Sequence, residues 1–131
     1  MSKPVDVGSL RKGGYIIIDG DACRIVEISK SKPGKHGSAK ARIVAIGVFK
    51  SVKRSLVKPI SAKAEVPIIS KRTGQVLSMT PESVQIMDLE TYQISENNLP
   101  EEEDIRSKLR NSVEVEYWSI LGQSKIMRVK G

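Results

Sequence analysis

From Gly13 to Ile69 the chain is a succession of short, β-branched apolar runs cut off by glycine, proline and aspartate turns, with no helical spacing of apolar residues. That texture commits these residues to strands: short runs bounded by tight turns build a small antiparallel sheet, whereas a helix needs apolar positions three and four apart. Tyr15–Asp19 is entered through Gly13-Gly14 and left through Asp19-Gly20-Asp21. Ala22–Ser29 follows, then the loop Ser31-Lys-Pro-Gly-Lys-His-Gly-Ser38, then the strongly apolar run Ala41–Phe49. Pro33, Gly34 and Gly37 between two β-branched runs mark a hairpin with a long tip. Weaker runs at Lys53–Val57 and Ala64–Ile69 lie on either side of Pro59. Five short strands of this kind predict an SH3-like barrel.

Lys71-Arg-Thr-Gly74 reads as a polar junction, which divides the chain into domains 1–70 and 71–131. Beyond it, Gln75–Met79, Ser83–Leu89 and Thr91–Ser95 predict three strands. Asn97-Asn-Leu-Pro100 supplies helix-start chemistry, and Glu101–Asp104 puts acids in a first turn, where the helix dipole favours them. Ile105 and Leu109 share a face, with Glu102–Arg106 and Asp104–Lys108 as supporting pairs. Val113–Tyr117 alternates with period two, and Lys125–Lys130 forms a last strand. Three strands, a short helix and two strands is the order of an OB-fold. The expectation is therefore an all-β chain, an N-terminal SH3-like barrel followed by a C-terminal OB-fold barrel with one short helix.

Charge separates the two halves. Residues 1–70 carry 14 Lys and Arg against 5 Asp and Glu, or +9, and residues 71–131 carry 8 against 10, or −2. No acid falls between Glu27 and Glu65, a stretch that holds ten cations. Solubility alone does not require excluding one sign, so the segment points to a polyanion, with nucleic acid favoured over a membrane surface. Lys30, Arg42, Lys53 and Arg54 are the candidate RNA-facing patch. Tyr92, Tyr117 and Trp118 would offer bases a stacking surface if exposed. The alternation instead places two of the three in the core, and the acidic balance argues against this half as the main RNA grip.

Several chemistries are disfavoured. No apolar run approaches the ~20 residues of a membrane-spanning helix, and Met1-Ser-Lys-Pro lacks the layout of a signal peptide, so a cytoplasmic protein is expected. Cys23, the sole cysteine, reads as a small core residue. The acids 101–104 are explained by a helix start more simply than by a metal. The 29–40 segment is no Walker loop, which would need Gly at position 29 and Ser or Thr at 36, where the chain has Ser29 and His36. An open, glycine-flanked Lys35 lacks the burial that activates a Schiff-base lysine. His36, the sole histidine, has no nearby acid to orient it as a base. What the segment offers is access: Gly34 and Gly37 bracket Lys35 and His36 without bulk, Pro33 restricts the tip, and Lys32 and Lys40 add charge at its base. On the residues alone this is either a basic turn touching phosphates or a lysine presented to a partner.

At these residues the chain resembles the hypusine-containing translation initiation factor 5A family. Ser31-Lys-Pro-Gly-Lys-His-Gly-Ser-Ala-Lys40 matches its lysine loop. Asp6-Val-Gly-Ser-Leu10, Gly14-Tyr-Ile-Ile-Ile-Asp-Gly20 and Cys23-Arg-Ile-Val-Glu-Ile28 precede it, and Val84–Tyr92 and Gly122-Gln-Ser-Lys-Ile126 follow, as in archaeal members. Pro33, where eukaryotic relatives have Thr, and the short N-terminus agree with an archaeal type. The resemblance implies that Lys35 takes an aminobutyl group from spermidine through deoxyhypusine synthase, giving deoxyhypusine or, after hydroxylation, hypusine. It further implies binding to ribosomal RNA near the exit site and contact of the modified side chain with peptidyl-tRNA, relieving stalls such as those at consecutive prolines. Lys32, Pro33, Gly34, His36, Gly37 and Lys40 would then form the RNA-contacting loop. No catalysis, metal, small-molecule substrate, separate cofactor or membrane is expected. The alternative is a generic basic RNA-binding or ribosomal module without modification.

Overall fold

The structure, a computed structural model, describes residues 1–31 and 39–130. The chain divides into two compact units, Met1–Ile68 and Ile69–Gly131. In the first, strands β1 (Ser2–Asp6), β2 (Tyr15–Ile18), β3 (Asp21–Lys30), β4 (Lys40–Gly47), β5 (Lys53–Pro59) and β6 (Lys63–Pro67) follow one another, with a 3₁₀ turn at Val7–Ser9 after β1. Strands β2 to β5 form an antiparallel meander, and β1 pairs with β6. Strands β2 to β6 match the five strands expected of an SH3-like barrel, with β1 as an addition. Alternation positions the core: Ala41, Ile43 and Ala45 of β4 are fully buried against Ile16, Ile25, Leu10 and Val7. With few aromatic residues to fill space, aliphatic side chains do it. Cys23 is buried among them, and burial, then Asp21, pushes its thiol pKa up.

The second unit contains β7 (Ile69–Met79), β8 (Ser83–Asp88), β9 (Ile94–Asn98), the helix α1 (Glu103–Arg106), β10 (Glu114–Ile120) and β11 (Gln123–Val129). Its sheet runs β11-β10-β7-β8-β9, curled as in an OB-fold. The core holds Val76, Val84, Ile86, Val115, Tyr117 and Ile126, and Ile105 and Leu109 join it as their shared face suggested.

Five sequence expectations are corrected. Lys71–Gly74 is no linker but the middle of β7, where Arg72 meets a buried carboxylate and Gly74 packs under Tyr117. The third strand of this unit starts at Ile94 rather than Thr91, because Asp88 gathers residues 89–93 into a turn. The helix starts at Glu103, and Asn97 and Asn98 belong to β9. Arg106 pairs with Glu103, and Glu102 reaches Lys125 at 3.1 Å, in place of the expected i,i+4 pairs. Of the three aromatic residues only Tyr117 is core; Trp118 is half-buried and Tyr92 is 70% exposed.

Candidate functional site

Strands β3 and β4 lead into and out of the lysine segment. Their register runs Cys23↔Gly47 at one end to Lys30↔Ala41 at the other. One further rung follows: Ser31 N–H donates to the Lys40 carbonyl at 2.9 Å, and the Ser31 hydroxyl bonds the same carbonyl at 3.2 Å. The pair is thus closed by backbone and side chain immediately before residues 32–38. Lys32, Pro33, Gly34, Lys35, His36 and Gly37 lie outside the described residues. Lys40, at the foot of the segment, is exposed.

The four cations of the expected patch divide between the two parities of the sheet. Pairing β3 with β4 requires a bulge between Ile25 and Glu27, which opposes Ile25 to Ala45 and Glu27 to Val44. That extra residue re-aims the following side chains. Lys30 therefore comes opposite the buried Ala41 and reaches across the barrel rim, its ammonium donating to the Gly8 carbonyl of the 3₁₀ turn at 2.9 Å. Arg54, opposite the buried Ala45, lies near the other end of the sheet, where its guanidinium bonds Asp21 at 3.3 Å and Asp19 at 3.4 Å. Arg54 is thus engaged in ion pairs within the barrel, while Lys30, bonded to the turn, remains exposed.

Arg42 and Lys53 stand on the other parity, the outward face of the sheet. So do Lys40 and Arg24, the latter overlooked in the sequence although it alternates with the buried Cys23 and Ile25. All four are exposed, and none makes an ion pair among the described residues. Glu27 is the only acid facing out on these three strands. Lys53 pairs with Ile46, six residues along β4 from Lys40, which places it about 20 Å from the foot of the lysine segment at ~3.3 Å per residue. The outward row is a cationic track leading to the segment, able to hold a phosphate backbone without reading sequence.

The second unit contains a polar cluster that the sequence did not announce. Asp88, 3% exposed, accepts from Arg72 Nε at 2.5 Å and Arg72 Nη2 at 3.2 Å, from the Tyr117 hydroxyl at 2.5 Å, and from the backbone N–H of Glu90 and Thr91 at 2.8 and 2.9 Å. The Arg72 hydrogen bonds, together with those from Tyr117 and the turn, hold its carboxyl far below the usual carboxylate range. Burial and the hydrogen bond to Asp88 push the Tyr117 hydroxyl up to about 12. Every acceptor lone pair is used, so the cluster fixes the 88–93 turn rather than offering a reactive group. Among the described residues no three His, Cys, Asp or Glu side chains gather as a metal site, and no helix is long and apolar enough to cross a membrane.

Comparison with known proteins bears on both units. Residues 1–62 match the family model "Translation initiation factor 5A-like, N-terminal", and residues 68–130 match "Eukaryotic elongation factor 5A hypusine, DNA-binding OB fold". The chain is 57% identical over 129 residues to translation initiation factor 5A of Pyrococcus furiosus, covering 97% of this chain and 94% of that one. With the factor of Metallosphaera sedula it shares 53% over 124 residues, 95% of each chain. A solved structure of the Methanococcus jannaschii factor superposes with a TM-score of 0.92 at 53% identity, over 98% of this chain and 95% of that chain. One from Naegleria fowleri gives 0.79 at 34% identity, over 99% of each.

Proposed function

As a member of the translation initiation factor 5A family, the chain is a translation factor, and we propose that it binds the ribosome near the exit site and acts through a deoxyhypusine or hypusine side chain on Lys35. The observation that carries this reading is the sequence Gly34-Lys-His-Gly37 set between β3 and β4, beyond a rung doubly bonded at Ser31 and Lys40. A doubly bonded strand pair leading into a glycine-bracketed lysine sequence suits delivery of one long side chain into a confined place. Lysine alone is a point cation on a four-carbon stem. An aminobutyl group taken from spermidine, with deoxyhypusine synthase as the modifying partner, lengthens that arm and adds a second amine.

The extended arm contacts the acceptor end of peptidyl-tRNA and favours peptide-bond formation at stalled sequences such as consecutive prolines. The protein contributes positioning and no reacting group of its own. Arg24, Lys40, Arg42 and Lys53 hold ribosomal RNA or tRNA backbone, and the place of action is the cytoplasm. The test is the intact mass of the protein from its native host, with peptide mapping. An aminobutyl-sized addition on Lys35, together with failure of Lys35→Arg to relieve ribosomes paused at proline runs, is the expected result. An unmodified chain that still binds ribosomes would favour a plain RNA-binding module instead.

A further inference from the structure

The barrel of the second unit is not closed by hydrogen bonds: among the described strands no ladder joins β9 to β11, the two edges of its sheet. At Asn97 the gap is bridged by a side-chain bond, from the Ser124 hydroxyl to the Asn97 amide oxygen. Next to this bridge a cleft of about 450 Å³ enters the unit. Its floor is Arg72, Asp88 and Tyr117, and its walls include Gln93, Ser95, Ser119 and Gln123.

Both walls are stiff. One is the turn that Asp88 holds through the N–H groups of Glu90 and Thr91. The other is a two-residue hairpin turn whose central residues, Leu121 and Gly122, have φ of 50° and 79°, the twist that fits an antiparallel pair.

At the rim stands Tyr92, between Thr91 and Gln93, which line the cleft. Its φ is 61° and its side chain is 70% exposed. A bulky residue in the left-handed region carries strain that packing usually repays, and here burial does not repay it. Ile94 beside it is 57% exposed and also lines the cleft. An exposed aromatic on a rigid turn with an aliphatic neighbour has the make-up of an interface anchor.

We propose that this cleft docks an extended segment of a partner protein, one carrying an apolar side chain for the Tyr92–Ile94 rim and a lysine or arginine for Glu90. Charge selects protein over nucleic acid. The one cation in the lining, Arg72, faces two carboxylates, Asp88 and, at 3.5 Å, Glu90, whose side chain is still 83% exposed, and Glu96 stands exposed on β9. A phosphodiester would find no counter-charge there. An extended peptide finds two strand edges without a ladder, with amide and hydroxyl side chains that imitate backbone groups. The inference stands apart from the lysine segment and would survive the failure of that reading.

The test titrates the full-length, isotope-labelled chain with the blocked tripeptide acetyl-Leu-Lys-Leu-N-methylamide and, separately, with uridine monophosphate. The peptide is expected to shift amide signals of Gln93–Ser95 and Gly122–Ser124 and to saturate, while the nucleotide leaves them still. Tyr92→Asn, a residue that tolerates positive φ, is expected to melt no lower than the parent yet bind the peptide about tenfold more weakly. A silent peptide, a nucleotide that shifts these amides, a Tyr92→Asn chain that melts below the parent, or one that binds as the parent does, would each overturn the proposal.

Discussion

Tyr117 on β10 donates its hydroxyl hydrogen to Asp88 at the end of β8, 2.5 Å away, and so ties one side of the second barrel to the turn that leaves the other. Arg72 on β7 completes the tie from between them. An amide in place of the Asp88 carboxylate would remove the charge that faces the guanidinium and turn one of the shared acceptor oxygens into a donor. Asp88→Asn is therefore expected to cost about 3 kcal/mol in urea unfolding, against about 1 kcal/mol for Tyr117→Phe, which leaves the ion pair in place. Equal losses for the two would mean that the ion pair adds nothing beyond the phenol bond.

The same pair sets a pH window. Asp88 is depressed in the fold, so its stabilisation is complete above the unfolded carboxylate pKa, roughly 4, and drains away as pH falls below that. Tyr117 is raised to about 12. Its contribution is complete below the unfolded phenol pKa, roughly 10, and is lost as pH climbs from there towards 12. Melting temperature against pH should fall at both ends, and Tyr117→Phe should flatten the alkaline limb while sparing the acid one. An unchanged alkaline limb in that variant would remove Tyr117 from the account.

Gly74 lies where β7 passes beneath the Tyr117 ring. A Cβ there would overlap Ile86 Cγ2 and press on Tyr117 Cε1 at 3.1 Å and the Met87 carbonyl at 3.1 Å. Two of the three neighbours are core side chains, and the third is backbone. Gly74→Ala should destabilise by about 1–3 kcal/mol through overpacking, read as a lower denaturation midpoint with an unchanged urea slope.

Ribosome affinity should distinguish the outward cations from the structural ones. Arg42→Gln and Lys53→Gln are each expected to reduce the slope of log affinity against log salt by up to about 1, with the melting temperature unmoved. Arg54→Gln should lower the melting temperature, since it releases Asp19 and Asp21, and should leave the salt slope near that of the parent. The reverse pattern would show that the sheet presents its other face to RNA.

Most of the strand plan was readable because buried and exposed residues alternate along β4 and β8 between clear turn residues. β1 was not, since Ser2-Lys-Pro-Val-Asp6 has almost no apolar alternation and is a strand only because β6 lies beside it. The facing of Lys30 was hidden for another reason. Counting by twos along β3 works until the bulge at Ile25 and Glu27, and a bulge is a property of the pairing rather than of either strand's composition. Arg54 was the readable case: it is two residues from the half-buried Leu56, so period two already turned it inward. The Arg72–Asp88–Tyr117 cluster was invisible because its members are far apart in sequence and meet only through the order β10-β7-β8. For the lysine loop, composition and spacing supplied access and charge, and the family resemblance supplied its chemistry.

The missing ladder between β9 and β11 also decides how the second unit comes apart. A barrel sealed all round must break several backbone bonds at once to open, whereas this one can unroll from its seam like a scroll. β9 has five residues bonded on one side only, so its amides should exchange with deuterium soonest among the strands of this unit. Those of β7, held by β8 and β10 together, should be the last.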